Sequence, residues 1–428
     1  MRFKVRVWIG ILSLLACSAK GQFLLFTPPG GPESRPETIE DRLDREIRQA
    51  PYHLGPVRIA PLVGFRDVAY VRDLFSNTTN SGGDLTATLG AGARGYLHTG
   101  SKVIWVGQVL PEYVWWQKRA DARRLNLSEG LEMVSLLNRL TVDAAASRIE
   151  QQRIVTPEVP ELVDAATEVG RLDVELKLTS KLRPFVSARR TRQEGLVEDR
   201  HDDPLAQRIA LLDRNDHVLR AGLHWIPRTG WIIGVGAERS RVDFDRAALD
   251  SSNEGTAPVL ELTLDRPHIF FHTDLAARSL TATSGSRFVD YDGVTGSASV
   301  NVVPRSSFQV WLYANRELLY SVSPDYPYLQ DERVGLALGS ELGRRVVSRV
   351  FVETGDDKYT AFSPAAPERS DDLTAYGGSL RFTITETLAL SLQATRLELA
   401  SNQSGFNRSY TSGSLTFSLR GNLFGQNL

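Results

Sequence analysis

Residues 170–179 read Gly170-Arg171-Leu172-Asp173-Val174-Glu175-Leu176-Lys177-Leu178-Thr179. Leu172, Val174, Leu176 and Leu178 alternate with Asp173, Glu175, Lys177 and Thr179. Successive side chains of a β-strand point to opposite faces, so this stretch has one apolar and one charged face. The same period runs through the body of the chain. Leu219, Ala221, Leu223 and Trp225 alternate with Arg220, Gly222 and His224, and Leu260, Leu262 and Leu264 with Glu261, Thr263 and Asp265. Phe308, Val310, Leu312 and Ala314 alternate with Gln309, Trp311, Tyr313 and Asn315, and Leu388, Leu390 and Leu392 with Ala389, Ser391 and Gln393.

A β-sandwich would show the same local pattern. The connections argue for a different arrangement. Short ones at residues 98–101, 227–230, 265–267, 304–306, 343–345 and 385–387 alternate with long polar ones at 76–83, 194–215, 243–257, 281–290, 322–329 and 356–371. Short turns at one end and long loops at the other describe a transmembrane antiparallel up-and-down β-barrel, with the short turns periplasmic. Segments of about 10–15 residues begin near Val57, Leu85, Lys102, Asn126, Thr141, Gly170, Pro184, His217 and Gly230. They continue near Pro258, His268, Val289, Ser307, Leu329, Val346, Asp372, Leu388 and Arg408. The total is about 18 strands; 16 is the alternative, because residues 123–168 alternate least clearly. An even count puts both termini in the periplasm. Trp105, Tyr113, Trp115, Trp116, Trp225 and Trp231 fall near strand ends, as the aromatic girdles of a bilayer barrel do.

Composition fits this arrangement. The 428 residues are 42% hydrophobic and 24% charged, with mean hydropathy −0.21. That is too hydrophobic for a disordered chain and too polar for a bundle of membrane helices. After the first residues, no stretch approaches the roughly 20 apolar residues of a membrane helix, so a membrane location requires a closed barrel. Net charge is −1, which argues against a nucleic-acid partner. The single Cys17 excludes an intramolecular disulfide and a cysteine-ligated zinc site.

Three segments precede one another along the chain: residues 1–21, 22–56 and 57–428. Residues 1–7 carry Arg2, Lys4 and Arg6; an apolar stretch follows, then small residues at Ala19 and Gly21. This reads as a secretory signal peptide cleaved near Gly21. The alternative is a lipoprotein signal in which Cys17 is lipidated. Residues 22–56 form a periplasmic leader rich in proline. Within it, Thr38 as cap, Glu40 and Asp41 in the first turn and Pro51 as stop predict a short helix. Ile39, Leu43 and Ile47 form its apolar stripe. The helix is either a plug for the barrel or a frayed leader.

The polar strand faces form the lumen wall. Its candidate pore-lining residues are Asp173, Glu175, Lys177, Arg189, Arg220, Glu238, Glu261, Asp274, Arg278, Glu317, Arg349, Glu353, Arg381 and Arg420. Of the 50 basic residues, 43 are arginine, whose planar fork suits carboxylates and phosphates. These charges either select a solute or pair across strands and stiffen the wall. Trp311 and Tyr313 share the polar face; they either stack on a sugar ring or pack under an inward-folded loop. His272 shares a face with His268 and Asp274 but lacks a third metal ligand at a motif spacing. Glu198, Asp199, Asp202, Asp203, Asp213 and Asp216 lack the regular spacing of a calcium loop. No nucleophile elbow, metalloprotease or phosphate-loop motif is present, so neither catalysis nor a cofactor is expected.

The layout of residues 57–428 resembles the β-barrel porin families of Gram-negative bacteria, especially barrels associated with exopolysaccharide production. The likeness includes the run Asn138-Arg139-Leu140-Thr141-Val142-Asp143-Ala144-Ala145-Ala146-Ser147-Arg148 and the stretch 170–179. It carries no signature motif and transfers no functional residue. It implies an outer-membrane channel for polysaccharide or other polar solutes. The implied partners are outer-membrane lipid and lipopolysaccharide, the barrel-assembly machinery, and a polysaccharide or periplasmic export partner. The chain departs from the family in ending Gly425-Gln426-Asn427-Leu428 rather than in an aromatic residue, with Phe417 and Phe424 nearby. A structural or adhesive barrel with a closed lumen is the second expectation, and a lipid or lipopolysaccharide hydrolase the third.

Overall fold

The computed structural model describes residues 38–72, 84–153, 158, 163–196, 209–246, 248, 250–305, 307–343, 345–385 and 388–419. The expected signal with Cys17, the first part of the leader, Glu198, Asp199, Asp202, Asp203, Arg420 and the C-terminal residues lie outside them.

Among the described residues one α-helix, α1 (Ile39–Gln49), precedes nineteen strands. β1 (Tyr52–Leu54) is short. The others are β2 (Val57–Arg72), β3 (Asp84–Thr99), β4 (Val103–Trp116), β5 (Arg124–Leu136), β6 (Leu140–Arg153) and β7 (Val163–Leu176). Next come β8 (Leu182–Gly195), β9 (Arg214–Trp225), β10 (Trp231–Phe244), β11 (Asn253–Arg266), β12 (Ile269–Ala282) and β13 (Tyr291–Arg305). Last are β14 (Phe308–Tyr320), β15 (Tyr328–Leu342), β16 (Val346–Thr360), β17 (Ser370–Thr383), β18 (Leu388–Ser401) and β19 (Arg408–Leu419).

Each long strand pairs antiparallel with the next, β9 with β10 included. β19 then returns to pair with β2. Eighteen long strands therefore form a ring, and the expected 18 holds over 16. The seam joins only Thr411–Phe417 to Phe65–Arg72, with a register shift. Below it, β1 takes the free edge of β2, with Tyr52 opposite Ile59. An unpaired edge is a template for aggregation, so this short hairpin also protects the ring where the seam stops.

The turns at one end are tight, as in residues 226–230 between β9 and β10. Gly230 there has φ 77°, which glycine alone adopts without steric cost. A Cβ on it would stand 2.2 Å from the Asp265 carbonyl oxygen. The opposite end carries every longer connection.

Strand alternation assigns the two faces. Val63, Leu89, Val109, Leu131, Leu172, Val186, Leu219, Val235, Leu260, Leu312, Val334 and Val350 all face outward and are 43–60% exposed. Inward neighbours such as Glu132, Asp143, Glu175, Glu238, Glu353 and Asp357 are at most 4% exposed. The molecule is inverted relative to a soluble protein, apolar outside and polar inside. Trp105, Tyr113, Trp115, Trp225 and Trp231 lie on the outward register. Trp116 does not: it faces inward and is fully buried, a position set by its place opposite the buried Thr86 of β3.

Two strands start earlier than alternation suggests. β7 begins at Val163 instead of Gly170, and β11 at Asn253 instead of Pro258. A strand needs about 9–11 residues to cross an apolar layer, whereas these run to 14. Their first residues project beyond the apolar belt, where no hydrophobic alternation is required.

Candidate functional site

The lumen wall is a set of charge networks built on strand register. Arg171 of β7 reaches Asp143 of β6 at 2.6 Å, Asp173 at 3.2 Å and Glu132 of β5 at 3.6 Å. On the next strand, Arg183 of β8 contacts Glu175 of β7 at 3.1 Å. The other Glu175 oxygen meets His224 Nδ1 at 3.2 Å, and His224 Nε2 lies 3.4 Å from Glu261. The His224 ring also stacks on Phe185, with centroids 4.2 Å apart. Arg220 links Glu238 at 2.6 Å and Asp274 at 2.7 Å, and Arg278 holds the second Glu238 oxygen at 2.9 Å. On the far wall, Arg333 joins Asp331 at 2.6 Å and Glu353 at 3.6 Å. Most of these groups are buried. Removing one partner of a buried ion pair strands the other charge, at a cost of about 3–5 kcal/mol.

Trp311 and Tyr313 lie on the lumen side of β14, but no loop is needed to pack them. A Cβ on Gly335 would fall 2.0 Å from Tyr313 Cζ, and one on Gly339 2.5 Å from the Trp311 ring. Each ring therefore occupies the space that a side chain on a β15 glycine would take. The Tyr313 hydroxyl donates to Glu353 at 2.8 Å, and the Arg349 guanidinium covers Trp311 at 5.4 Å. Tyr313 is 3% and Trp311 8% exposed, so neither ring offers an open face to a sugar.

Helix α1 enters the short-turn mouth. Thr38 caps it by accepting the Asp41 N–H at 3.0 Å. Ile39, Leu43 and Ile47 are all buried, Leu43 completely. They pack on inward residues of four adjacent strands: Ala60 of β2, Tyr96 of β3, Ile104 and Val106 of β4, and Val134 of β5. Polar ties flank the stripe. Arg42 contacts Glu132 at 2.6 Å, Glu46 receives the Tyr96 hydroxyl at 3.1 Å, and Arg94 lies 3.3 Å from Glu46. The helix thus extends the Arg171 network off the wall and into the lumen.

The long loops fold over the other mouth. Ile209 and Leu212 pack with Val163 and Val322, and Phe288 packs with Tyr328. Arg369 is sandwiched between the rings of Tyr359 and Phe406, 4.0 Å from each, and pairs with Asp371 at 2.7 Å. Glu158, from the β6–β7 connection, accepts from Ser321 Oγ at 2.8 Å and the Val322 N–H at 2.7 Å, and lies 3.6 Å from Arg369. Arg408 donates to the Glu158 carbonyl oxygen. Ser321, Val322 and Arg369 belong to connections eight strands away around an eighteen-strand ring, and Arg408 opens β19 six strands away, so Glu158 reaches across the mouth. Burial pushes its carboxyl pKa up, opposed by the Val322 and Ser321 hydrogen bonds. Asp213, at the end of the β8–β9 connection, accepts the Gly195 N–H at 2.7 Å. Burial moves its pKa up to about 6.

Of the lumen residues expected from sequence, Asp173, Glu175, Arg189, Arg220, Glu238, Glu261, Asp274, Arg278, Glu317, Arg349, Glu353 and Arg381 occupy inward strand positions. Lys177 does not. β7 ends at Leu176, and Lys177 begins the turn, where its N–H donates to the Arg139 carbonyl at 2.6 Å. His268 and His272 do not converge. His268 is in a turn against Val303, while His272 is bonded to Thr263 at 2.9 Å. Asp216 pairs with Arg214 instead of joining Asp213. Among the described residues no group of three metal-ligating side chains forms. Sequence reading missed Glu132, Asp143, Arg171, Arg183, His224, Asp331, Arg333 and Asp357. Four of these share a strand face with residues it did name, so strict period two would have found Arg171, Arg183, His224 and Asp357.

No family model matches the chain, and no curated protein matches it by sequence. Solved structures do resemble it. OccAB3 of Acinetobacter baumannii superimposes with a TM-score of 0.50 at 9% identity, covering 84% of this chain and 98% of that one. OpdO of Pseudomonas aeruginosa gives 0.49 at 11% identity, covering 84% and 96%. The siderophore receptor PirA of Pseudomonas aeruginosa gives 0.43 at 12% identity, covering 86% and 81%. At these identities the likeness is one of fold.

Proposed function

We propose that the chain is an outer-membrane β-barrel channel for small polar solutes. One observation carries this reading: an eighteen-strand ring with an apolar outer band and a charged inner wall. Barrels of 16–18 strands are wide enough for an aqueous passage, and lipid accepts a sheet only when its edges are satisfied. The wall charges mostly neutralise one another, so they hydrate the path without a strong sign. Arg349 is an exception. Among the described residues no carboxylate contacts it, and its Nε and one terminal nitrogen lack partners, so it favours anions at that level. Passage of polysaccharide, expected from the family resemblance, lacks a free aromatic platform at Trp311 and Tyr313.

The second reading is a structural barrel with a sealed lumen, favoured by the folded loops at one mouth and α1 in the other. Single-channel recording in a planar bilayer separates the two. The full chain is expected to give discrete steps. Leu43→Asp, which releases α1 from its apolar bed, is expected to raise their size at least twofold. Silence from both proteins, with normal barrel mobility on gels, would favour the sealed barrel.

A further inference from the structure

The outer face carries a feature that a passive apolar belt does not need. Two rows of outward side chains cross β7–β10. In the lower row, register sets Leu172, Ala188, Leu219 and Arg239 side by side. In the row above, toward the long loops, stand Gly170, Arg190, His217 and Arg241. Strands lie about 4.8 Å apart, so Arg190 and Arg241 flank His217 across roughly 10 Å.

These residues line a groove of about 550 Å³. Gly170 and Ala188 make its floor shallow, and a Cβ on Gly170 would meet nothing within 4 Å. The side chains of Arg239 and Arg241 are 72% and 56% exposed. Acids steady these arginines from outside the groove: Asp243 lies 2.9 Å from Arg241 and Glu254 3.8 Å from Arg239. Arg190 donates to Asn215 at 3.0 Å. Among the described residues no carboxylate lines the groove itself.

An outward charge is costly at the middle of a bilayer and nearly free at its interface. The row directly below, Val174, Val186, Ala221 and Ala237, is wholly apolar. The basic row therefore marks the boundary where acyl chains end and headgroups begin, on the long-loop side. Guanidinium groups bind phosphate oxygens through paired hydrogen bonds.

We infer that this groove binds a phosphorylated lipid of the outer leaflet, a lipopolysaccharide. Its headgroup phosphate meets Arg190, His217, Arg239 and Arg241, and an acyl chain runs down over Leu172, Ala188 and Leu219. The inference rests on the outer-membrane reading above.

The test uses full-length protein purified in detergent and fluorescently labelled lipopolysaccharide, phosphorylated or enzymatically dephosphorylated. The phosphorylated form is expected to bind wild type at least tenfold tighter than the double variant Arg239→Ala/Arg241→Ala. Gly170→Phe, which fills the groove into open space, is expected to lose binding similarly with unchanged barrel mobility on gels. Arg305→Ala, at the opposite mouth, is expected to bind normally. Wild-type affinity in both groove variants would overturn the inference. So would equal binding of dephosphorylated lipid, or displacement by millimolar inorganic phosphate alone, which would mark a simple anion site. Bilayer insertion of the same preparation separates the two claims: insertion without lipid binding removes only the groove, and failure to insert removes the outer-membrane reading as well.

Discussion

The contact between Tyr313 and Gly335 shows how little room single positions have. The ring occupies the place a Cβ would take at 2.0 Å, so Gly335→Ala must displace the ring, its hydroxyl bond to Glu353, or the β14–β15 ladder. Overpacking of this kind costs about 1–3 kcal/mol. Gly107 of β4 faces open space and serves as the control. Urea unfolding of the barrel in detergent is expected to show Gly335→Ala destabilised and Gly107→Ala close to wild type. Equal stability of the two would remove the packing account of Tyr313. The glycine was invisible to periodicity, because period two assigns a side chain to a face without saying which neighbour it covers. For the same reason the sequence placed Tyr313 on the lumen side but could not choose between a sugar platform and a wall-packed ring. Lys177 failed for a different reason: alternation continued through Leu178 and Thr179, past the point where hydrogen bonding turned the chain.

Among the elements, the connections respond to pH. The folded pKa of Asp213, about 6, lies above its ordinary value of 3.8. The folded state therefore holds the proton more tightly, and its contribution to stability is fully present below the ordinary value. That contribution falls as pH rises through about 6. Glu158 shifts in the same direction. Hydrogen exchange at residues 209–213, corrected for intrinsic rates, is expected to show less protection at pH 7.5 than at pH 4.5. Asp213→Asn is expected to flatten that dependence, and an unchanged slope in the variant would assign it elsewhere. None of this was legible beforehand, since a carboxylate in a polar loop looks solvated until the fold brings other loops against it. Helix α1 is the opposite case. Its cap, its stop and its stripe of Ile39, Leu43 and Ile47 all stood in the sequence, whereas its seat against β2–β5 required tertiary contacts.

For the whole molecule, the ring is as secure as its shortest ladder. The β19–β2 seam spans less of its strands than the neighbouring pairings and contains a register shift. Val68 and Leu415 stand opposite one another there. Val68→Cys with Leu415→Cys is expected to oxidise readily and to hold the barrel folded in hot SDS, reverting on reduction. Failure to cross-link would place the seam elsewhere. Strand number and the alternation of loop lengths were readable because an apolar outer face and a polar inner face impose period two on every long strand; the seam was not, because closure is a pairing between the two ends of the ring.

Among the described residues the apolar seat of α1 is drawn from β2, β3, β4 and β5, the first quarter of the ring in chain order. Helix and seat could therefore associate before the remaining fourteen strands had joined. A rod lying along the concave side of a young sheet would impose curl on it and cover its polar side chains while the far wall was still missing. A seat completed before closure predicts that removing residues 38–50 lowers the yield of folded barrel, read as the fraction with barrel mobility on gels.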